Sequence, residues 1–571
     1  MNVLQPADYI VFLIYFVIVT AYGMYIYRSK KNAVTSSNDY FLAEGSLTWW
    51  AIGASLIASN ISAEHFIGMS GSGFAIGLAI ASYEWMSAAT LIVVAMFILP
   101  VYLKNKIFTM PQFLAKRYNG TVSTIMAVIW LLIYVFVNLT SIIYLGALAI
   151  SSIAPISFEY CVIGLSLFSV IVTLGGMKVI GYTDMFQVIV LILGGLVTTY
   201  LALTLLSEQF GFGKDILILG GLVTTYLALT LLSEQFGFGK DIIKGLGVIA
   251  DEAPGHLHMI LEKSNPHYSE LPGMSVIVGG MLINNLAYWG CNQYIVQRAL
   301  GADLKTARKG ILFAAFLKLL VPIIAVLPGI AMYVMHENGM FQKEMVDAAG
   351  VLKPDHAYPT LMNLLPAGLK GVALAALTAA IVASLAGKAN SISTIFSLDI
   401  YKKYFNKNAS EKKLVRIGRL AVVVAMLIGA VVAPSLKSLD QAYQFIQEYV
   451  GFFSPGVLAV FLLGMFWKKT TASAGLAGAL LTVPIAAVLK FLPVWTNGAF
   501  PDFPFLDRMT IAFFIIVFLM VAISLLRPES KEQHETHTIE VDTAMFKVSS
   551  EFIIGSFIIC GVLVALYTVF W

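Results

Sequence analysis

The sequence has little charge and little cysteine, and both scarcities narrow the class of protein. Only 12% of the 571 residues are charged, against about 25% in a typical soluble protein. Hydrophobic residues make up 59% of the chain, and the mean hydropathy is +0.84. The three cysteines lie in or beside apolar segments, so we expect buried free thiols and no disulfide framework. These features exclude an ordinary soluble protein and a disulfide-rich secreted domain.

Apolar runs recur along the whole chain and leave no soluble domain of useful size. Tyr9–Tyr27, Leu91–Leu103 and Ile511–Leu526 are examples. About 20 apolar residues in a helix cross the hydrocarbon core of a bilayer. The first run is followed by basic residues and not by a small-residue cleavage site, which predicts a retained helix and no signal peptide. We expect residues 1–571 to form one polytopic membrane domain.

The apolar runs predict fourteen spanning helices, and the basic residues orient them. The predicted spans lie near 8–27, 48–70, 78–103, 121–150, 156–176, 183–206, 273–299, 307–335, 369–401, 412–433, 440–466, 472–494, 508–527 and 551–570. With the N-terminus outside, 24 of the 36 Lys and Arg residues fall in inside loops and 8 in outside loops. Inside loops carry the excess of basic residues in membrane proteins. We therefore expect a plasma-membrane (inner-membrane) protein with both termini outside.

One segment occurs twice, because residues 191–216 recur without a change as 217–242. If both copies crossed the membrane, every downstream loop would change sides and the charge bias would be lost. We assign the span to the first copy and expect the second outside the core bundle, as an interfacial or loosely docked hairpin. A repeat without drift is more typical of a recent duplication or an assembly error than of a functional repeat.

Two predicted spans carry polar residues in their middle, at 54–63 and 283–292. They are the second and seventh spans, five helices apart and opposite in direction. Interrupted helices at matching positions of two halves are typical of inverted five-helix repeats with a midplane binding site. Small polar residues also serve as plain helix-packing contacts, and for either segment alone that alternative stays open.

Few ionisable residues fall inside the predicted spans, and each is a candidate for function. We identify His65, Glu84, Asp184, Lys318 and Lys388. Ionisable groups in a membrane are costly and usually face a cavity or a partner. A structural ion pair between Glu84 and Lys318 is the plain alternative, and a single histidine on a helix is often only a packing residue.

Neutral hydrogen-bonding and aromatic side chains accompany these groups. They are Asn60, Tyr83, Ser87, Asn285, Tyr288, Tyr443 and Gln447. Sugar hydroxyls both donate and accept hydrogen bonds and carry no charge, and sugar rings stack on aromatic faces. The mixture predicts a small sugar as the ligand and membrane lipid as the surroundings, with no nucleic-acid partner.

Several stretches closely resemble the sodium:solute symporter family, and the resemblance covers nearly the whole chain except for the duplication. The matching stretches are GASLIASNISAEHFIGMSGSG (53–73), IASYEWMS (80–87), NLAYWGCNQYIVQR (285–298), FAAFLKLLVP (313–322), FIQEYVGFFSPG (445–456) and FLLGMFWKK (461–469). The resemblance implies an all-α membrane protein of the leucine-transporter type, with five-plus-five inverted repeats and further helices before and after them. It also implies sodium-coupled symport of a sugar such as galactose or glucose, with sodium as the coupling ion.

The resemblance also implies roles for individual residues. The family's sugar contacts fall on His65, Glu84, Ser87, Asn285, Lys318 and Gln447. Tyr288 matches the inner gate, held by Asn60, and the outer gate falls on Met69, Tyr83 and Tyr443. The sodium ligands fall on Ala58, Ile61, Ala380 and Ser384. Where the family commonly has two adjacent serines on the ninth span, this chain has Ala383-Ser384, which puts the sodium affinity in doubt.

Lys388 lies four residues after Ser384 and so on the same face of the ninth span. A bare lysine in the membrane costs at least about 2.5–3.5 kcal/mol, so we expect it to have a partner. Asp184 begins the sixth span at the inner side. We predict that Lys388 and Asp184 pair beneath the sodium site, along its inward exit; the alternative is a lysine that reaches inner water unpaired.

Other functions are less well supported by the residues. A carboxylate or amino-acid substrate would suit the charge of Lys318, but not Glu84 beside it. A sugar sensor on the same fold often carries a signalling domain, and none is expected after Trp571. Gly71–Gly77 is glycine-rich but follows no strand, so it does not indicate a nucleotide loop, and we expect no enzymatic activity.

Overall fold

α-Helices dominate the computed structural model, which describes residues 4–29, 48–107, 109–174, 247, 249–300, 302–347, 349–365, 367–438, 442–529 and 539–571. In chain order, helices α1 to α21 are Pro6–Ser29, Trp49–Asn60, Ser70–Ala75, Ser82–Val93, Leu99–Lys104, Met110–Arg117, Gly120–Leu132, Thr140–Ile153, Phe158–Thr173, Ser275–Val278, Gly280–Cys291, Gln293–Ala299, Leu304–Glu337, Ala357–Met362, Leu369–Thr394, Glu411–Val432, Ala442–Gly451, Ser454–Phe466, Ala472–Trp495, Phe505–Leu526 and Ser550–Val569. Within these ranges no strand forms, and Val346 and Leu352 make an isolated antiparallel bridge.

π-Helical turns join several of these helices into longer runs. They are Glu64–Met69, Val94–Ile98, Ile133–Leu139 and Ile395–Phe405. Eight helical runs of the described chain are long and apolar enough to cross a membrane: Leu78–Lys104, Gly120–Ile153, Leu304–Glu337, Lys370–Phe405, Glu411–Lys437, Ala472–Trp495, Phe505–Leu526 and Ser550–Val569. A ninth span is possible as a bent pair, Tyr443–Gly451 with Ser454–Phe466. The predicted number of fourteen stays a prediction.

Both predicted helix breaks are present. α2 ends at Asn60, where Ile61 takes an extended backbone (φ −68°, ψ 121°), and the Ser62 hydroxyl then accepts the Glu64 amide at 3.2 Å as the next turn begins. In the seventh span the break comes at Asn292 (φ −94°, ψ 124°), between α11 and α12. Each break exposes backbone carbonyls that a continuous helix would use internally. At the first break the Ser62 side chain competes with the helix for the Glu64 amide, and at the second the Asn292 side chain accepts the Tyr134 hydroxyl.

α13, which carries Lys318, packs closely on the broken second span. A Cβ atom on Gly329 would lie 2.0 Å from the Ser70 carbonyl oxygen, and one on Gly73 would lie 2.6 Å from the Val326 carbonyl oxygen. Only glycine fits such approaches, and small residues allow membrane helices to pack backbone to backbone. The packing fixes the height of Lys318 beside the break.

Contacts near the ends of helices join residues that the predicted topology assigns to the same side. Lys309 pairs with Glu551 at 2.6 Å, both predicted inside, and Lys437 pairs with Glu159 at 2.8 Å, both predicted outside. The backbone amide of Met259 donates to the Phe570 carbonyl at 2.6 Å, again on the predicted outer side. Which side faces the cytoplasm remains a prediction from the basic residues.

The eleventh span differs from the continuous helix expected for 440–466, because α17 and α18 meet at 45°. Pro455 stands in the first turn of α18 and has no N–H to continue the ladder of the preceding helix. The amide of Gly456, the next residue, donates to the Thr482 hydroxyl at 3.1 Å and not to the Phe452 carbonyl, and that hydroxyl donates to the Phe452 carbonyl at 3.0 Å. Both copies of the duplicated segment lie outside the described residues, so their predicted placement stays a prediction.

Candidate functional site

A polar cavity lies between the two broken spans, with an empty volume of about 990 Å³ including its open mouth. Its predicted lining residues are Asn60, His65, Tyr83, Glu84, Ser87, Asn285, Tyr288, Tyr443 and Gln447, and Lys388 also lines it. Lys318 and Met69 do not line the cavity. Spacings of three or four residues place these side chains on single helix faces, as with Glu84 and Ser87 on α4 and Tyr443 and Gln447 on α17.

Glu84 is the centre of a buried hydrogen-bond network. Its Oε2 atom pairs with the Lys318 ammonium, and its Oε1 atom lies 3.3 Å from Nε2 of His65. Nδ1 of His65 accepts the Ser62 amide at 3.4 Å, which leaves the proton of a neutral ring on Nε2 to be donated to Glu84. One positive and one negative charge cancel, so the cluster is neutral overall. The ion pair weighed as the plain alternative is therefore present.

Lys318 is fully buried behind the cavity wall, with 0% of its surface exposed. Its ammonium also donates to Asn60 Oδ1 and lies 5.2 Å from the centre of the Trp289 ring. It reaches the cavity only through Glu84 and Asn60. A charge held by so many partners is a fixed part of the site.

Tyr288, the predicted inner gate, lies where Asn60 can hold it. The Asn60 Nδ2 atom donates to the Tyr288 hydroxyl at 2.8 Å, and that hydroxyl also bonds the Tyr294 hydroxyl. Asn60 therefore joins the ion pair to the gate tyrosine. Asn60 is also the last residue of α2, so a shift at the helix break would move both.

Two neighbouring amide side chains of the seventh span, Asn284 and Asn285, bond different partners in the cavity lining. Ser87 donates to Asn285 Oδ1 at 2.6 Å. The neighbouring Asn284 donates to Gln447 Oε1 at 3.4 Å and accepts the Ser454 hydroxyl at 2.8 Å. These bonds orient the amides toward the cavity, where each retains a donor or acceptor for a ligand.

Two of the three predicted outer-gate residues meet. The rings of Tyr83 and Tyr443 pack edge to face with centres 5.3 Å apart, and both side chains are buried. The Tyr83 hydroxyl donates to Gln444 Oε1 at 3.3 Å. Met69 is buried in the π-helical turn that follows the break and does not line the cavity.

The predicted sodium ligands lie where α2 packs against α15. The Ser384 hydroxyl donates to the Ser59 carbonyl at 3.0 Å, one residue from Ala58, and Ala58 and Ala380 are buried. Ile61 carries the extended backbone of the break. Carbonyl and hydroxyl oxygens at the C-terminal end of a half-helix suit a hard cation such as sodium. The donor set therefore fits sodium.

Lys388 bonds a predicted sodium ligand. Its ammonium donates to the Ser384 hydroxyl at 3.2 Å and lies 5.2 Å from the centre of the Tyr294 ring. Only 2% of its surface is exposed. The predicted partner Asp184 lies outside the described residues, so that pair stays a prediction.

Six polar residues of the cavity lining were not among the predicted site residues: Glu64, Tyr134, Asn138, Asn284, Asn292 and Ser454. Glu64 lines the cavity beside His65 and accepts the Ser141 hydroxyl at 2.5 Å. Asn284 lines it next to Asn285. The adjacent polar pairs Glu64-His65 and Asn284-Asn285 were the available signal for two of them.

Comparisons with known proteins agree with this architecture. The model of the sodium:solute symporter family matches residues 40–482. The chain is 45% identical to the sodium/glucose cotransporter of Vibrio parahaemolyticus over 99% of this chain and 98% of that protein. It is 33% identical to the human sodium/myo-inositol cotransporter 2 over 87% of this chain and 72% of that protein.

Solved structures show the same fold. A Na⁺-coupled sialic acid symporter matches with a TM-score of 0.72 at 20% identity, covering 92% of this chain and 99% of that one. The nucleobase-cation-symport-1 family transporter Mhp1 matches with a TM-score of 0.50 at 14% identity, covering 87% of this chain and 97% of that one. The predicted leucine-transporter type of fold is confirmed. The chain belongs to the sodium:solute symporter family and is a multi-pass membrane transporter that couples solute movement to sodium, not an enzyme.

Proposed function

We propose that the transported solute is an uncharged sugar such as galactose or glucose. The observation that carries the proposal is the neutral network around Glu84, in which the Lys318 ammonium is already paired. An anionic substrate would find no available cation in this network, because the carboxylate of Glu84 already neutralises Lys318. Lys388 also lines the cavity, but its ammonium bonds the proposed sodium ligand Ser384. The names of the sodium/glucose and sodium/myo-inositol relatives support the same class of polyhydroxylated solute.

The proposed sugar contacts are His65, Glu84, Ser87, Asn285 and Gln447. Lys318 is proposed to act on the sugar indirectly, through its bonds to Glu84 and Asn60. The carboxylate, amide, hydroxyl and imidazole groups of the sugar contacts offer both donors and acceptors, as a sugar with several hydroxyls requires. Tyr288 is the proposed inner gate, and Met69, Tyr83 and Tyr443 form the proposed outer gate. Buried polar groups of this kind select strongly against analogues that lack a matching hydroxyl.

Sodium is proposed to bind the Ala58, Ile61 and Ala380 carbonyls and the Ser384 hydroxyl. It would enter from outside, order the break after α2, and so position Asn60 and the network around Glu84 for the sugar. Both solutes then leave inward by alternating access. A potential of 100 mV supplies about 2.3 kcal/mol per charge, and a tenfold sodium gradient adds about 1.4 kcal/mol.

Uptake into proteoliposomes tests the substrate class. Labelled galactose, glucose, myo-inositol, a carboxylate and an amino acid would each be offered with an inward sodium gradient and with potassium in its place. We expect sodium-dependent accumulation of a sugar and none of the charged solutes. Accumulation of a carboxylate or amino acid, with no sugar transported, would overturn the proposal.

We place both termini outside the membrane, on the evidence of the basic residues. A reporter that is active only outside the cytoplasm, fused after Trp571, tests this placement. We expect an active reporter. A fusion protein that is stable but has no reporter activity would show that the orientation is the reverse of the proposed one.

A further inference from the structure

Lys388 is a buried cation held by neutral groups. Among the described residues, the Ser384 hydroxyl accepts its hydrogen bond at 3.2 Å, and the Tyr294 ring lies 5.2 Å away. Neither group carries a negative charge. A lysine buried in a membrane protein is costly and marks a functional position.

The Ser384 hydroxyl links this ammonium to the helix break. It accepts from Lys388 and donates to the Ser59 carbonyl at 3.0 Å. A hydroxyl oxygen bonded in this way has its proton directed at the break and one lone pair directed at the ammonium. The same oxygen is the proposed side-chain ligand of sodium.

The surroundings add positive charge. The guanidinium of Arg298 packs against Gly387, so closely that a Cβ there would lie 2.8 Å from Nη2 of Arg298. Arg298 also donates to the Ser55 hydroxyl at 2.9 Å and to the Tyr294 carbonyl at 2.6 Å. Glu64 lines the cavity together with Lys388, but its carboxylate already accepts the Ser141 hydroxyl at 2.5 Å.

We infer that the Lys388 ammonium is a tethered competitor of sodium: it occupies the coupling-ion site through Ser384 and must be displaced when sodium binds. The inference rests on the proposed sodium site. Two cations bonded to one oxygen, at 3.2 Å and about 2.5 Å, are at most about 6 Å apart. At that separation, repulsion in an effective dielectric constant of about 20 corresponds to about a hundredfold in affinity.

When sodium displaces the Lys388 ammonium from Ser384, the ammonium needs a new partner, and its movement affects the neighbouring Tyr294. The cavity that it lines also contains the Glu64 carboxylate, which can receive the ammonium when sodium holds Ser384. Leaving Ser384 also removes the ammonium from the Tyr294 ring, and the Tyr294 hydroxyl bonds the gate residue Tyr288. Lys388 thus lowers sodium affinity and connects the state of the sodium site to the inner gate.

Binding of radioactive sodium to the purified full-length protein in detergent, with no sugar present, tests the inference. Lys388→Met removes the charge at nearly constant length and is expected to lower the half-saturating sodium concentration at least tenfold. Lys388→Arg keeps the charge and is expected to bind sodium as weakly as the wild type. Lys388→Gln provides a second neutral variant if the methionine variant does not fold.

Lys370→Met is the matched control, because it removes a buried lysine from the same helix. Eighteen residues of α-helix place position 370 about 27 Å from position 388, beyond the reach of the sodium site. Its half-saturating sodium concentration should equal that of the wild type. An improvement as large as that of Lys388→Met would show a general effect of net charge and overturn the inference.

The result that overturns the inference is a change of less than tenfold in both neutral variants, or equally tight binding by Lys388→Arg. Ser384→Ala separates this failure from failure of the proposed site. If that change weakens sodium binding while the neutral Lys388 variants bind as the wild type does, the site stands and the competition is wrong. If Ser384→Ala binds sodium as tightly as the wild type does, both the proposed site and the inference are wrong. No sugar is present, so the identity of the substrate does not affect the outcome.

Discussion

Two lysines are buried at the centre of this protein, and their surroundings differ in kind. Lys318 on α13 pairs with the Glu84 carboxylate and donates to Asn60. Lys388 on α15 donates to the Ser384 hydroxyl and faces the Tyr294 ring. The first charge is neutralised within the proposed sugar site, whereas the second makes no ion pair with a described residue, and the Glu64 carboxylate in the same cavity is its described counter-charge. A compensated charge stabilises one arrangement, and an uncompensated charge favours a change of partner.

Breaking the compensated pair should have the largest effect. Lys318→Met leaves the Glu84 carboxylate buried without its cation, which typically costs about 3–5 kcal/mol. We expect sugar uptake to fall at least about a hundredfold and the melting temperature of the purified protein to drop. Uptake in proteoliposomes and thermal unfolding in detergent measure the two effects.

The double variant Glu84→Gln with Lys318→Met is the control for that experiment. Because it leaves no unpaired charge, it should recover most of the lost thermal stability without recovering uptake. Unchanged stability in the single variant would contradict the assignment of Lys318 as a compensated charge.

A neutral contact in the sugar site should have a smaller effect. Gln447→Ala removes a hydrogen-bonding side chain from the cavity and leaves Asn284 without the acceptor at 3.4 Å. Loss of one such partner costs about 1–3 kcal/mol, so the KM for sugar should rise about tenfold or more. Gln342→Ala, at an exposed position, is the matched control and should leave the KM unchanged. A normal KM in Gln447→Ala would remove this residue from the site.

Removing the uncompensated lysine should hardly change stability. Lys388→Met breaks no ion pair among the described residues, and the Glu64 carboxylate keeps its hydrogen bond from Ser141. The free energy of unfolding should therefore stay within about 1 kcal/mol of the wild type or increase, as apolar replacements of buried charges often do. Thermal unfolding under the conditions used for Lys318→Met makes the comparison direct. A drop as large as that of Lys318→Met would mean that Lys388 is also paired, as the predicted contact with Asp184 would require.

The smallest effect is expected from the duplicated segment. The described contacts of Lys318 and Lys388 come from residues outside 191–242. The bias of basic residues toward the inside loops requires that only one copy of the duplicated segment crosses the membrane. Deleting 217–242 should therefore leave sugar uptake and sodium dependence within about twofold of the wild type, because the predicted second copy lies outside the core bundle. Loss of folded protein on deletion would mean that this copy is part of the core.

The sequence predicted the fold class and the two helix breaks because bilayers impose simple rules. Long apolar runs and two polar interruptions each have a direct structural meaning. The break at Ile61 and the break at Asn292 both fall within the predicted polar segments. The bend between α17 and α18 was not predicted, because it depends on Thr482 of a neighbouring helix, whose hydroxyl bridges the Gly456 amide and the Phe452 carbonyl.

The site was harder to predict, because the partner of a buried group depends on where other helices pass. The sequence left open whether Glu84 pairs with Lys318 or binds a ligand, and the structure shows that it pairs while facing the cavity. Glu64 gave no separate signal beside His65. The link from Lys388 through Ser384 to Ser59 depends on the rotation of α15 against α2, which periodicity within either helix does not determine.

Reciprocal binding of sodium and sugar tests the central claim most directly. Two sites coupled through the helix break must affect each other by the same factor. We would measure the sugar Kd at zero and saturating sodium, and the sodium Kd at zero and saturating sugar, by titration of the purified wild-type protein. We predict that each ligand tightens the other by an equal factor of about ten or more. A sugar Kd that does not depend on sodium would contradict the account.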